Sequence, residues 1–156
     1  IKIVNKDPKN IKARENMLLG STLAGMAFTN APCAGVHALA YPVGALFKVP
    51  HGLSNSLVLP EVIKFNASAA ERLYLEIADL CIPELKNKEF KITDFISGIY
   101  SLIEELQIPN KLKDVGVSHN DIPKLAEDAM QQDRLLVNNP VKIEYKNAIN
   151  IYEAVL

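Results

Sequence analysis

The sequence has no tryptophan, and phenylalanine and tyrosine together make up only 6% of its 156 residues. So few aromatic rings offer no stacking platform for bases. With 17 Lys+Arg against 18 Asp+Glu there is also no basic excess to meet phosphates, so no nucleic-acid partner is expected. Cysteine is scarce as well. Cys33 and Cys81 stand far apart without a pairing pattern, which suits a reducing cytoplasm better than a disulfide scaffold. No apolar run is long enough to span a bilayer, and the most hydrophobic stretch, 53–63, is broken by Ser54, Asn55, Ser56 and Pro60, so no membrane partner is expected. Period-two alternation is missing except over residues 1–4, and no Gly-rich phosphate loop follows a strand.

What remains is helical patterning, and the fold it predicts is an all-α helical bundle, residues 1–156 forming a single domain. From Ile11 the apolar residues Met17, Leu18, Leu19, Leu23 and Met26 fall at roughly helical spacing until Asn30-Ala31-Pro32 interrupts. A second helix occupies 33–47, rich in alanine, with Gly35 and Gly44 suited to close helix contact. Lys48-Val49-Pro50 breaks it, and His51-Gly52 opens a short apolar helix expected to end near Pro60. Ser68, with Glu71 three residues on, reads as a capping box for a further helix carrying Leu73, Ile77 and Leu80 on one side. Another helix begins at Thr93, with Phe95, Ile96, Ile99, Leu102, Ile103 and Leu106 as its buried stripe. Asn120 is expected to cap a helix with Pro123 in its first turn, and 144–156 closes the chain as a helix.

Only three histidines are available for chemistry. His119, in a polar approach to a cap, reads as exposed. His37 lies within the alanine-rich helix and His51 at the turn into the next, so a helix, a proline-stopped turn and a new helix start can bring them face to face. Imidazole is a favoured ligand for borderline divalent metals. On the residues alone, a satisfied core histidine is the readier reading of either one. Cys33, four residues before His37, forms a Cys-x3-His spacing, but nothing nearby supplies two more ligands, and a small buried thiol is the better account.

The run Gly35-Val36-His37-Ala38-Leu39-Ala40-Tyr41-Pro42-Val43-Gly44, followed by Val49-Pro50-His51-Gly52-Leu53-Ser54-Asn55, resembles the second signature of the iron-containing alcohol dehydrogenases, within the dehydroquinate synthase-like superfamily. Upstream, Gly25-Met26-Ala27-Phe28-Thr29-Asn30-Ala31 is similar to the small-residue helix that precedes it. Leu59-Pro60, Phe65-Asn66, Ile108-Pro109, Asp114-Val115-Gly116-Val117, Asp121-Ile122-Pro123 and Asn139-Pro140 fit downstream. The resemblance runs from about residue 12 to the end. The wording around the two histidines favours the alcohol dehydrogenase branch over the dehydroquinate synthase and glycerol dehydrogenase branches.

The resemblance implies a dinucleotide-binding domain preceding a helical one, with the active site in the cleft between them. A divalent metal, Fe2+ or alternatively Zn2+ or another ion, is held there by one Asp and three His, of which His37 and His51 match two. NAD or NADP binds mainly to the other domain, the substrate is a small alcohol or aldehyde, and a homo-oligomer is expected. Phe28 matches a position near substrate and nicotinamide. Tyr41 stands where many members carry another histidine, and both a proton relay and a core role remain open for it. The family's remaining ligands form an Asp-x3-His pair, and no Asp or Glu lies four residues before any histidine here. The expectation is therefore a C-terminal domain alone, inactive by itself. The alternative is a non-catalytic helical module that kept the fold and acts only with a partner.

Overall fold

The computed structural model describes residues 1–156 and is helical throughout, with no strand. Its helices are α1 (Lys2–Lys6), α2 (Ile11–Asn30), α3 (Gly35–Phe47), α4 (His51–Cys81), α5 (Ile92–Glu105), α6 (Ile122–Met130), α7 (Asp133–Leu136) and α8 (Tyr145–Ala154), joined by short 3-10 turns. They fall into two compact units, Ile1–Cys33 and Ala34–Leu156.

The first unit holds α1 and α2. In 1–4, the one stretch with strand alternation, residues 2–4 are helical instead and Ile1 stands at the N-cap. A lone strand leaves its backbone groups without a ladder, whereas a helical turn satisfies them locally, as in Asn5 N–H to the Ile1 carbonyl at 3.0 Å and Asp7 N–H to that of Ile3 at 2.8 Å. Asn10 caps α2, its side-chain oxygen accepting from the Ala13 amide at 2.9 Å. The apolar residues of α2 are spread around the helix. Leu18, Leu19, Leu23 and Met26 are each more than half exposed.

The second unit is built on α4, which packs against α3, α5 and α8, while α6 lies on α3 and α8. Two apolar cores result. Leu39, Val43, Leu57, Val58, Val62, Ile122, Leu125 and Tyr152 belong to the larger, and Ile63, Ala78, Ile82, Phe95, Ile99 and Ile103 form the smaller.

Three expectations about element ends are corrected here. The helix opened by His51 does not stop at Pro60 but runs on to Cys81, and Ser68 lies inside it rather than capping a new one. An internal proline costs ~3 kcal/mol. Leu57, Val58, Val62 and Ile63, which flank Pro60, are all buried, and full burial of such side chains stabilises by ~1.5–3 kcal/mol each. The burial outweighs the break. Leu73, Ile77 and Leu80 do share one side of α4, but that side is exposed. Asn120 does not cap α6 but lies inside the 3-10 turn His119–Asp121, which Ser118 caps, and α6 follows Asp121 with no side-chain cap. The Asp121 carboxylate accepts from the Ser118 amide at 2.8 Å and hydroxyl at 2.6 Å.

Candidate metal centre

The corner between α3 and α4 is set by a few local contacts. α3 ends on Lys48, whose φ of 57° is left-handed, and Val49-Pro50 leads the chain into α4 with His51 as its first residue. Ser54, buried one turn into α4, directs its hydroxyl at the carbonyls of Val49 at 3.3 Å and Pro50 at 3.2 Å. Gly44 lets the corner close, since a Cβ there would stand 3.3 Å from both the Ser54 hydroxyl and the Val49 carbonyl oxygen.

This corner brings the rings of His37 and His51 to 5.2 Å between centroids, with planes inclined by 51°. Tyr41, one turn beyond His37 on α3, completes a triangle at 6.1 Å from His37 and 5.9 Å from His51. Imidazole nitrogens bind zinc at ~2.0–2.1 Å, which puts two rings on one ion roughly 5 Å apart. The observed spacing suits that arrangement. His37 and Tyr41 are half-buried and His51 is exposed, so the triangle opens to the surface.

Burial, and after it the charge that His51 carries when protonated, hold the His37 imidazole below its ordinary pKa. His37 is therefore neutral at pH 7, with a lone pair to give, as ligation requires. The donor set, one half-buried imidazole and one exposed one, fits a borderline divalent ion. It is not a complete cage, because nowhere do three or more His, Cys, Asp or Glu side chains gather around one point.

Three further residues were singled out from the sequence. Phe28 is on α2 in the first unit and is 58% exposed. His119 is exposed in the 3-10 turn before α6. Cys33 is half-buried in the first unit.

Two features escaped sequence reasoning. Asn55, one turn after His51, places its amide nitrogen 3.1 Å from His51 Nε2 and 3.0 Å from the His51 carbonyl oxygen. The second is a part-buried amide pair, Asn66 and Asn139, that anchors α3. Asn66 donates to Asn139 Oδ1 at 3.0 Å, and Asn139 donates back to Asn66 Oδ1 at 2.7 Å and to the Val141 carbonyl at 2.6 Å. Asn139 Oδ1 also accepts from the amide of Gly35 at 3.2 Å, two residues before His37. Farther along α3, the buried Tyr152 donates to the Leu39 carbonyl at 2.7 Å. The i to i+4 spacing of His51 and Asn55 was visible in the sequence, but side-chain amides are common and that spacing alone assigns them no partner.

All of residues 1–156 match the family model described as Fe-containing alcohol dehydrogenase family, C-terminal. The chain belongs to the iron-containing alcohol dehydrogenase family. The match extends the resemblance, first legible from about residue 12, to the first residue. Within this family the chain is 36% identical over 149 residues to a 1,3-propanediol dehydrogenase of Citrobacter freundii, covering 92% of this chain and 37% of that one. It is 37% identical over 150 residues to long-chain-alcohol dehydrogenase 1 of Geobacillus thermodenitrificans, with the same two coverages of 92% and 37%. Among solved structures, a sulfoacetaldehyde reductase from Bifidobacterium kashiwanohense, in complex with NAD+, superposes with a TM-score of 0.83 at 26% identity, over 99% of this chain and 39% of that one. The chain thus spans well under half the length of these iron-containing alcohol dehydrogenase relatives.

Proposed function

We propose that this chain is the helical, metal-side domain of a metal-dependent, NAD(P)-linked alcohol dehydrogenase, in which His37 and His51 are two of the metal ligands. The observation that carries the reading is the approach of those two rings to 5.2 Å at the α3–α4 corner of a chain matched from end to end by the family. Iron is the metal the family description names, taken in this reading as Fe2+, and Zn2+ meets the same nitrogen donors. Held by His37 and His51 together with further ligands, such an ion would supply Lewis acidity toward an alcohol oxygen, the chemistry that favours hydride transfer to a nicotinamide.

The chain's own residues have narrower roles. His37, kept neutral by burial and by His51, offers a nitrogen lone pair, and His51 offers another from the head of α4. The Tyr41 ring stands 6.1 Å from His37 and 5.9 Å from His51, and in this reading its hydroxyl takes part in passing the alcohol proton outward. Phe28 lines the substrate side in this reading. The nucleotide-binding domain, the rest of the ligand set and a homo-oligomeric assembly complete it, with a small alcohol or aldehyde as substrate and the cytoplasm as the setting.

The test is His51→Ala in the longer protein that this reading requires. Metal content and turnover should fall together while the far-ultraviolet circular dichroism stays unchanged, because an exposed His51 contributes little packing. A variant that retains its full metal complement sinks the assignment of His51.

A further inference from the structure

The contact between Asn55 and His51 has a direction that hydrogen-bond accounting can fix. The Asn55 atom facing His51 lies 3.0 Å from a backbone carbonyl oxygen, which only accepts. That atom must therefore be the amide nitrogen. Turning the amide over would set oxygen against oxygen there, and would strand two N–H groups where the buried Asn55 Oδ1 now has no partner. With the nitrogen fixed as donor, His51 Nε2 at 3.1 Å is the acceptor, and the ring proton resides on Nδ1.

While the Asn55 contact lasts, neither nitrogen of His51 has a free lone pair, and the one a bound ion would take must first be released. That of Nε2 is engaged by the Asn55 amide, and Nδ1 carries the proton. A cation taking Nε2 must displace the amide. A cation taking Nδ1 must move the proton to Nε2, where it would meet the Asn55 N–H head-on. A contact made only in the metal-free protein and lost on binding lowers affinity by its own worth.

We infer that Asn55 is a placeholder for the metal, holding His51 closed to a cation and thereby weakening metal binding at this corner. The inference rests on the proposed reading of His37 and His51 as ligands and adds a residue of opposite effect. A residue that merely supported the ligands from behind would strengthen binding, so the sign separates the two roles.

The experiment uses the chain of residues 1–156, 15N-labelled and stripped with a chelator. At about pH 9, above the imidazole range, nitrogen shifts report which ring atom of His51 carries the proton. Nδ1 is expected in the unsubstituted chain, and a shift toward Nε2 in Asn55→Ala. Titration with Co2+ alone should then show Asn55→Ala and Asn55→Leu binding about three- to tenfold tighter than the unsubstituted chain, the worth of one net hydrogen bond. A proton on Nε2 in the unsubstituted chain overturns the placeholder, as does Co2+ binding that is unchanged or weaker in both variants. Co2+ that perturbs neither the His37 nor the His51 imidazole in any of the three proteins overturns the metal reading itself, and the placeholder with it.

Discussion

Tyr100 donates its hydroxyl to Glu61 Oε1 at 3.0 Å, joining α5 to α4. Burial first, then this hydrogen bond and the carboxylate's charge, push the tyrosine pKa up to about 12. A raised folded-state value favours the neutral hydroxyl, so the stabilisation is whole below the ordinary tyrosine range near pH ~10 and is lost as pH climbs through the raised value. The stability gap between the unsubstituted chain and Tyr100→Phe should accordingly be constant at neutral pH and shrink from about pH 10 upward. Urea unfolding across that range checks it, and a gap that stays level to the highest pH reached would show that the hydroxyl–carboxylate contact does not form in solution. At this scale the sequence was readable where side chains are rare and chemically distinctive. His37 and His51 stood out for that reason. Asn55, Asn66 and Asn139 did not, because an amide's role depends on the atom across from it, and those partners lie a turn away or 73 positions away.

Helix interiors were legible from apolar spacing, and helix ends less so. Pro60 and Ser68 carry local signals for a stop and a start, yet α4 continues through both because its flanking residues are buried in two cores at once. Local chemistry lost to tertiary packing, which no single stretch of sequence displays. The beginning of α3 shows the converse. Ala34 provides no side-chain cap, and the Gly35 amide is satisfied by Asn139 instead. Asn139→Ala should lower stability by about 2–4 kcal/mol, since it strands at least two polar groups at ~1–3 kcal/mol each. Removing Asn66 as well should cost less than the sum of the two single losses, because the amides serve one another. Additive losses in denaturant unfolding would mean that the pair is not coupled.

For the molecule as a whole, the all-helical class followed from composition and period, and the corner holding the two histidines followed from the motif. The surface of α2 was not foreseeable, because apolar residues all around a helix normally mean that it is enclosed. Leu18, Leu19, Leu23 and Met26 are nonetheless 71%, 58%, 55% and 62% exposed. Exposed apolar area of that kind drives association. The purified chain should therefore show an apparent mass in light scattering that rises with concentration, and Leu19→Lys with Leu23→Lys should suppress the rise. A chain that stays monomeric at high concentration without those substitutions would contradict this.

The anchoring of α3 also has a consequence for the order of events during synthesis. His37 and His51 leave the ribosome well before the groups that secure their helix. The Gly35 amide waits for a partner 104 positions downstream, and the Leu39 carbonyl for one 113 positions downstream. Closing such long loops costs entropy that is recovered only when the last helix docks. The nascent chain can therefore carry both imidazoles across that interval without holding them in register. The corner becomes rigid only once α8 has been made, so under the proposed reading the competence to bind a cation arrives with α8 and not with the histidines themselves.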